Sequence, residues 1–152
     1  MIKPEDLRIG DLVRVSRDCS FPKGSVCIVT QINSERTYKE KKGAVNLSNA
    51  DGTEDGPWGV WCYDIEGIPL TPEILEKNAF TTIVPRRCYT QSMGDTSKCL
   101  KRYISIERRR SNWAVFLKYD FLPDHVLVRP IQYVHELQHI LWALGLDADL
   151  KI

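Results

Sequence analysis

The segment His135-Glu136-Leu137-Gln138-His139 has the residue types and spacing of a zinc-hydrolase helix. Residues four apart lie on one face of a helix, so two histidines can bind one metal ion while the glutamate activates the metal-bound water. The extended zinc motif fails, because Trp142 and Gly145 stand where it has glycine and histidine. A third ligand would have to come from His125, a carboxylate or a cysteine.

The helical positions of the same residues favour a structural interpretation. At 100° per residue, the polar residues of this segment lie opposite an apolar stripe. We therefore expect a solvated polar face, and assign no catalytic residue, cofactor or metal. The polar set is Gln132, His135, Glu136 and His139, and the apolar set is Val134, Leu137, Leu141 and Leu144.

Basic side chains are concentrated between residues 84 and 110, where the net charge is +6, whereas residues 33–66 carry −3. Arginines bind phosphate oxygens in pairs, and the neighbouring Tyr89, Tyr103 and Trp113 are expected to stack on bases. The predicted nucleic-acid or nucleotide site is Arg86, Arg87, Lys101, Arg102, Arg108, Arg109 and Arg110. The alternative is a solvated hairpin end whose arginines pair with the acidic loop at 51–55. The overall net charge of +1 favours that alternative, because duplex-binding domains are usually basic.

Trp58 and Trp61 are the predicted partner-binding residues. Residues three apart in a strand point to opposite faces, so one tryptophan is expected in the core and the other partly exposed. An exposed tryptophan beside an acidic loop is a suitable anchor for a partner. The alternative is that both belong to the core or its edge.

The elements that must position these residues are short strands and two helices. Turn residues and alternation predict strands over 12–15, 25–32, 44–47 and 59–63, as in a small SH3-like β-barrel spanning 1–66. Thr71 and Pro72 begin a connector helix that ends near Lys77. Strands over 102–107, 113–119 and 126–128 then form an antiparallel meander on a C-terminal helix over 131–144, which completes a region 67–152. The predicted class is α+β.

Length and composition narrow the function classes. With 152 residues, 43% hydrophobic and 27% charged, the chain has room for one domain or two very small ones. No secretion signal or membrane-spanning stretch is evident, so we expect a cytoplasmic protein with no membrane partner. Five cysteines without a CxxC pair are expected to be reduced.

Three segments carry a resemblance to a known family: residues 7–13 (LRIGDLV), 68–80 (IPLTPEILEKNAF) and 131–139 (IQYVHELQH). Together they resemble a family of small uncharacterised proteins from phages, prophages and conjugative elements of Bacteroides-type gut bacteria. The family's last helix usually has glutamine where Glu136 stands and asparagine where His139 stands. The resemblance therefore implies a mobile-element product in a bacterial cytoplasm, and implies that the zinc motif is not a family feature.

We expect a non-enzymatic accessory binding protein of a phage or mobile element. Its arginine-rich hairpin would engage nucleic acid, a nucleotide signal or a host protein, and a homo-oligomer is compatible with this expectation. The alternatives are a zinc-dependent hydrolase that uses the HELQH helix, and a structural or assembly protein.

Overall fold

The computed structural model describes residues 2–38, 41–51, 58–95, 101–120 and 126–152. The chain divides into two compact units, Met1–Ile68 and Pro69–Ile152. Each unit is built on its own five-stranded antiparallel sheet. The β-rich, mixed character predicted from the sequence is therefore confirmed.

The N-terminal unit is a sheet of strands in the order β4-β3-β2-β1-β5. Its strands are β1 (Leu12–Val15), β2 (Val26–Tyr38), β3 (Lys41–Asn49), β4 (Trp58–Trp61) and β5 (Ile65–Gly67). Two short 3-10 helices, Pro4–Asp6 and Cys62–Asp64, lie before β1 and between β4 and β5. The turn between β1 and β2 closes through Ser25 N–H donating to Pro22 O at 3.1 Å, with Gly24 at φ 91°.

One face of this sheet forms the core of the unit. Alternate residues of each strand point to it, because successive side chains of a strand lie on opposite faces. The fully buried members include Val13, Val15, Cys27, Val29 and Leu47, each 0% exposed. Phe21, between β1 and β2, joins the same cluster.

The predicted SH3-like barrel is not confirmed. The sheet is open among the described residues, since its edge strands β4 and β5 form no hydrogen-bonded ladder with each other. Closing a barrel requires such a ladder between the first and last strands. Strand β5 has only 3 residues, which leaves little backbone for it.

The C-terminal unit is a meander with two helices. Helix α1 (Pro72–Lys77) precedes β6 (Thr81–Val84), β7 (Cys88–Asp95), β8 (Lys101–Arg109), β9 (Asn112–Tyr119) and β10 (Val126–Ile131), and helix α2 (Val134–Ala143) follows. The strand order is β10-β9-β8-β7-β6. Because the strands pair in chain order, each turn joins two neighbouring strands. The β6–β7 and β8–β9 turns therefore lie at the same end of the sheet.

The two faces of this second sheet differ in chemistry. Tyr89, Ile104, Ile106 and Val115 are all 0% exposed, which makes one face apolar and buried. The opposite face carries polar and charged side chains from β8 and β9. This alternation positions the arginines of β8, because Arg108 shares the apolar face and Arg109 shares the polar one.

Helix α1 begins as the sequence predicts, whereas α2 begins at Val134, three residues after the predicted start at 131, because Ile131 ends strand β10. The Thr71 side chain accepts a hydrogen bond from Ile74 N–H at 3.4 Å, and Pro72 occupies the first turn. Helix α2 ends before Gly145 at φ 70°, where Leu146 N–H donates to Leu141 O at 2.9 Å. Among the described residues, no helix has the length and apolar character needed to span a membrane.

Candidate nucleic-acid interface

The zinc-like segment lies in the first turns of α2, where its glutamate caps the helix. Glu136 Oε2 accepts hydrogen bonds from the backbone N–H groups of Gln132 at 2.7 Å and Tyr133 at 3.0 Å. Its Oε1 accepts from Arg129 Nη2 at 2.9 Å. Both carboxylate oxygens are therefore engaged at the helix start, where a negative charge is stabilised.

The prediction that His135 lies on a solvated face of α2 is wrong. That side chain is only 3% exposed, and Gln138 is 6% exposed. The His135 ring stacks on Tyr133 with centroids 5.7 Å apart, and its centroid lies 5.9 Å from that of His139. Helix α2 is covered on more sides than its apolar stripe indicates, so polar side chains enter the interior.

No group of three or more His, Cys, Asp or Glu side chains suited to a metal ion exists in the part of the chain that the structure describes. His125, the histidine considered as a third ligand, lies outside the described residues, as do Lys98 and Cys99. The structure thus gives the glutamate a structural role and leaves the two histidines without a described third ligand.

The basic residues meet at one end of the second sheet. Strand β7 begins at Cys88 opposite Glu107 of β8, so the β6–β7 and β8–β9 turns lie side by side. Arg108 N–H donates to Arg87 O at 2.8 Å, which joins the two turns directly. We name the five arginines of these turns the arginine cluster: Arg86, Arg87, Arg108, Arg109 and Arg110.

Two arginines of the cluster adopt a backbone conformation that favours glycine. Arg86 has φ 56° and Arg110 has φ 46°. In the first turn, Arg87 N–H donates to Val84 O at 2.9 Å, so Pro85 and Arg86 are the central residues and Arg86 occupies the position that usually holds glycine. A left-handed residue with a side chain costs about 1–2 kcal/mol. The arginines are therefore present despite a local conformational cost.

The cluster is exposed, and among the described residues only one of its arginines forms an ion pair with a carboxylate. All five residues are exposed at the backbone turns or strand ends. Arg109 Nη2 lies 3.3 Å from Glu107 Oε2, whereas the other four arginines form no salt bridge with a described carboxylate. Glu107 is also paired with Lys118 Nζ at 2.9 Å. Among the described residues, five arginines therefore face one paired carboxylate, and the cluster keeps a positive charge.

Aromatic rings hold two of the arginines in place. The guanidinium carbon of Arg108 lies 5.4 Å from the ring centroid of Trp113, and that of Arg109 lies 5.9 Å from the centroid of Phe116. Such cation–π contacts reduce the freedom of long side chains. The arrangement lowers the entropic cost of binding an anion there.

The charge of the cluster also reaches helix α1. The pKa of the exposed Glu73 carboxyl is lowered, first by a hydrogen bond to its own backbone, then by the Thr71 side chain, and also by the charge of Arg86. Arg86 thus acts on the first turn of α1 without a direct ion pair.

Lys101 and Arg102 do not belong to the cluster. They begin β8, whereas Arg108 and Arg109 end it, and the intervening six to eight residues of strand separate them by roughly 20–27 Å. Arg102 is only partly exposed, and its Nε is buried with no hydrogen-bond partner among the described residues. The structure therefore brings together five of the seven predicted basic residues and places two at the other end of the sheet.

Two of the three expected stacking aromatics are interior residues. Tyr89 is 0% and Trp113 is 4% exposed. Trp113 Nε1–H donates to Leu70 O at 2.9 Å, and Tyr89 O–H donates to Glu76 Oε1 at 3.3 Å. The expectation that they stack on bases is wrong, because the apolar face of the sheet holds them. Tyr103 is partly exposed, but it lies near Lys101 at the far end.

Trp61 lies on the outer face of the first sheet. Val60 beside it is 3% exposed, and alternation turns Gly59 and Trp61 the other way. The Trp61 ring stacks on Tyr63, with centroids 6.4 Å apart and planes 18° apart. The side chain of Trp58 and residues 52–57 lie outside the described residues. They include all but Asp51 of the predicted acidic loop at 51–55, so the predicted pairing of that loop with arginines falls largely there too.

Two further arginines complete this aromatic group. The guanidinium carbon of Arg36 lies 5.5 Å from the Trp61 centroid, and that of Arg17 lies 6.0 Å from the Tyr63 centroid. Sequence reasoning missed this group, because its members come from a strand, a 3-10 helix and two distant positions. No spacing rule connects them before the sheet is known.

A comparison with protein-family models, curated proteins and solved structures found no match to this chain.

Proposed function

We propose that this chain is a non-enzymatic binding protein that engages the phosphates of nucleic acid through the arginine cluster. The supporting observation is the bond between Arg108 N–H and Arg87 O at 2.8 Å, which sets two arginine-bearing turns side by side. Guanidinium groups bind phosphate oxygens with paired hydrogen bonds, and several together give salt-dependent affinity.

The conformational cost at two of these positions supports a role for the side chains themselves. Glycine would relieve the left-handed strain of Arg86 and Arg110. A surface that served stability alone would gain from that replacement. The arginines are thus better explained by the ligand that they bind.

The biological setting that we propose is a phage or mobile element in a bacterial cytoplasm, on the basis of the family resemblance alone. In fold, we propose that α2 covers the apolar face of the meander. This is supported by a cavity that Gln91 of β7 and Leu141 of α2 line together.

The test uses a variant that should fold at least as well as the parent. Arg86→Gly/Arg110→Gly removes two positive charges at positions that favour glycine. Relief of the left-handed strain should offset the greater backbone freedom of glycine, so the free energy of unfolding should not fall. Binding of a labelled single-stranded DNA 12-mer is measured over a range of salt concentrations. The slope of log K against log salt is negative, and each lost phosphate contact should make it less steep by roughly 0.7.

The matched control is Lys23→Ala/Lys77→Ala, which removes the same charge from two exposed lysines that belong to no predicted nucleic-acid-binding site. It should leave the slope nearly unchanged. A stronger variant, Arg108→Ala/Arg109→Ala/Arg110→Ala, should abolish binding. Unchanged affinity and slope in both arginine variants would refute the proposed function.

A further inference from the structure

A cavity of about 220 Å³ lies in the C-terminal unit, between the end of α1, strand β7 and the segment that follows α2. Its lining residues are 77–79, 91, 141, 147 and 149–151, and all of them are described. A water molecule takes up about 30 Å³ in the liquid, so this volume corresponds to roughly seven waters. The cavity therefore suits a small metabolite rather than a drug-sized molecule or a polymer.

Side-chain hydrogen bonds hold the walls of this cavity in place. The Asn78 amide donates to Ile74 O at 2.7 Å and to Lys151 O at 2.8 Å, which ties the end of α1 to the far end of the segment after α2. Gln138 Nε2 donates to Ala148 O at 3.1 Å, so the middle of that segment is attached to α2 as well. A ligand therefore meets walls that are already ordered, which lowers the entropic cost of binding.

The cavity presents two negative and two positive groups that do not pair with each other. Asp147 and Asp149 come from the segment after α2, Lys77 ends α1, and Lys151 follows the two aspartates. Asp147 Oδ1 accepts Asp149 N–H at 2.9 Å, which fixes the first carboxylate. Within the described chain, none of the four side chains forms a salt bridge. Groups of opposite charge that share a small cavity without meeting are suited to a ligand that carries both signs.

An amide and two leucines complete the lining. The Oε1 of Gln91 is buried with no hydrogen-bond partner among the described residues, although such oxygens usually have one. Rotation of this amide by half a turn exchanges its oxygen with its NH₂ group, so either group can serve a ligand. Leu141 and Leu150 are 0% and 9% exposed, and they give the same cavity an aliphatic surface.

We propose that this cavity binds a free α-amino acid with an aliphatic side chain. The ammonium group pairs with the two aspartates and the carboxylate pairs with the two lysines, while the side chain packs on the two leucines. A simple cation leaves the lysines unmatched and a simple anion leaves the aspartates unmatched, so a zwitterion is the class that satisfies both. The inference goes beyond the proposed function, because it uses a different site and none of the arginines of the cluster.

The experiment titrates the isotope-labelled chain with L-leucine, followed by NMR, and calorimetry gives the dissociation constant. The side-chain amide signal of Gln91 and the backbone signals of residues 149 and 151 should shift saturably. L-leucinamide lacks the carboxylate and isocaproate lacks the ammonium group. Each analogue should bind roughly tenfold more weakly or worse, since a hydrogen bond to a charged group contributes at least that factor.

Two variants test the two halves of the site. Asp147→Asn/Asp149→Asn removes the negative charges, and the asparagine at 147 keeps an oxygen for the backbone N–H of residue 149. Lys77→Gln/Lys151→Gln removes the positive charges. All four residues are exposed, so the fold should be retained, and each variant should weaken L-leucine binding roughly tenfold.

The matched control is Asp6→Asn/Asp120→Asn, which removes the same charge from two exposed aspartates that do not line the cavity. It should leave L-leucine binding unchanged. Unfolding curves for each variant show that the fold is retained.

Weaker binding of both analogues, with losses in both cavity variants and none in the control, supports the amino-acid site. Absence of a saturable shift with millimolar L-leucine overturns it. Equal binding of L-leucine and either analogue overturns it too, because one of the two charges is then not recognised. Unchanged L-leucine binding in the cavity variants places the ligand elsewhere and has the same consequence. None of these measurements involves DNA, so failure here leaves the proposed function to its own salt-dependence test.

Discussion

At the scale of single residues, the hydrogen bonds of a side chain indicate whether it serves catalysis or structure. Glu136 has the position of a metalloprotease base, but both of its oxygens serve the start of α2 and Arg129. Arg86 and Arg110 show the converse case. Their backbone conformation argues for glycine, and the arginine side chains are present nonetheless.

We predict that Glu136→Ala lowers the free energy of unfolding by about 1–2 kcal/mol, because two backbone donors lose their acceptor and the helix start loses its negative charge. Urea unfolding measures the change. The matched control is Glu35→Ala, an exposed glutamate in β2, which should cost less than about 0.5 kcal/mol. Unchanged free energy of unfolding in Glu136→Ala would contradict the capping role.

At the scale of elements, the sequence predicts structure where local pattern and burial agree. Alternation predicts β8 and β9, and Thr71 with Pro72 predicts α1 to within a residue. Strands β6 and β7 escape prediction. Every residue of β6 is exposed, and β7 buries Tyr89 among polar neighbours, so neither shows a period-two pattern.

For the arginine cluster, too, the sequence predicts what a local pattern determines and misses what depends on strand pairing. Arg108, Arg109 and Arg110 are placed at a turn by the alternating strands beside them, so their proximity is predictable. The nearness of Arg86 and Arg87 depends on the pairing of β7 with β8, which is a long-range contact that no local pattern specifies. The burial of Tyr89 and Trp113 likewise depends on which face of the sheet is covered.

We predict that Asn78→Ala loosens the segment after α2. The Asn78 amide donates to Ile74 O at 2.7 Å and to Lys151 O at 2.8 Å, and its oxygen accepts from Lys151 N–H at 2.8 Å. Loss of three hydrogen bonds should cost about 2 kcal/mol and raise the exchange rate of the Lys151 amide more than that of the sheet amides. Hydrogen exchange followed by NMR measures both.

Asn78→Asp is the comparison variant: it keeps an acceptor for Lys151 N–H but sets a carboxylate oxygen against the carbonyl oxygens of Ile74 and Lys151. It should therefore loosen the segment at least as much as Asn78→Ala. Equal exchange of the Lys151 amide in all three proteins would show that this side chain does not hold the segment in place.

At the scale of the whole molecule, each unit has its own core and its own response to pH. Burial, more than any other factor, raises the pKa of Cys27 and of Cys62 to about 11, with smaller effects from Cys19 and Asp51 on the first thiol and from Glu5 on the second. Both thiols belong to the N-terminal unit. In the C-terminal unit, burial and then the charge of Glu76 raise the pKa of Tyr89.

We predict that the N-terminal unit loses stability as the pH rises from about 8.5, the thiol pKa of an unfolded chain, to about 11. In that window the folded thiols hold their protons and the unfolded ones release them, so stability falls by at most about 1.4 kcal/mol per pH unit for each thiol. Urea unfolding at each pH, followed by hydrogen exchange in peptides from each unit, gives the slope of unfolding free energy against pH. Cys27→Ala/Cys62→Ala should flatten it, whereas loss of stability through Tyr89 begins above about pH 10 in the other unit. The same slope in the double variant would mean that other groups titrate there, and the two buried thiols would then have no part in the alkaline limit of this fold.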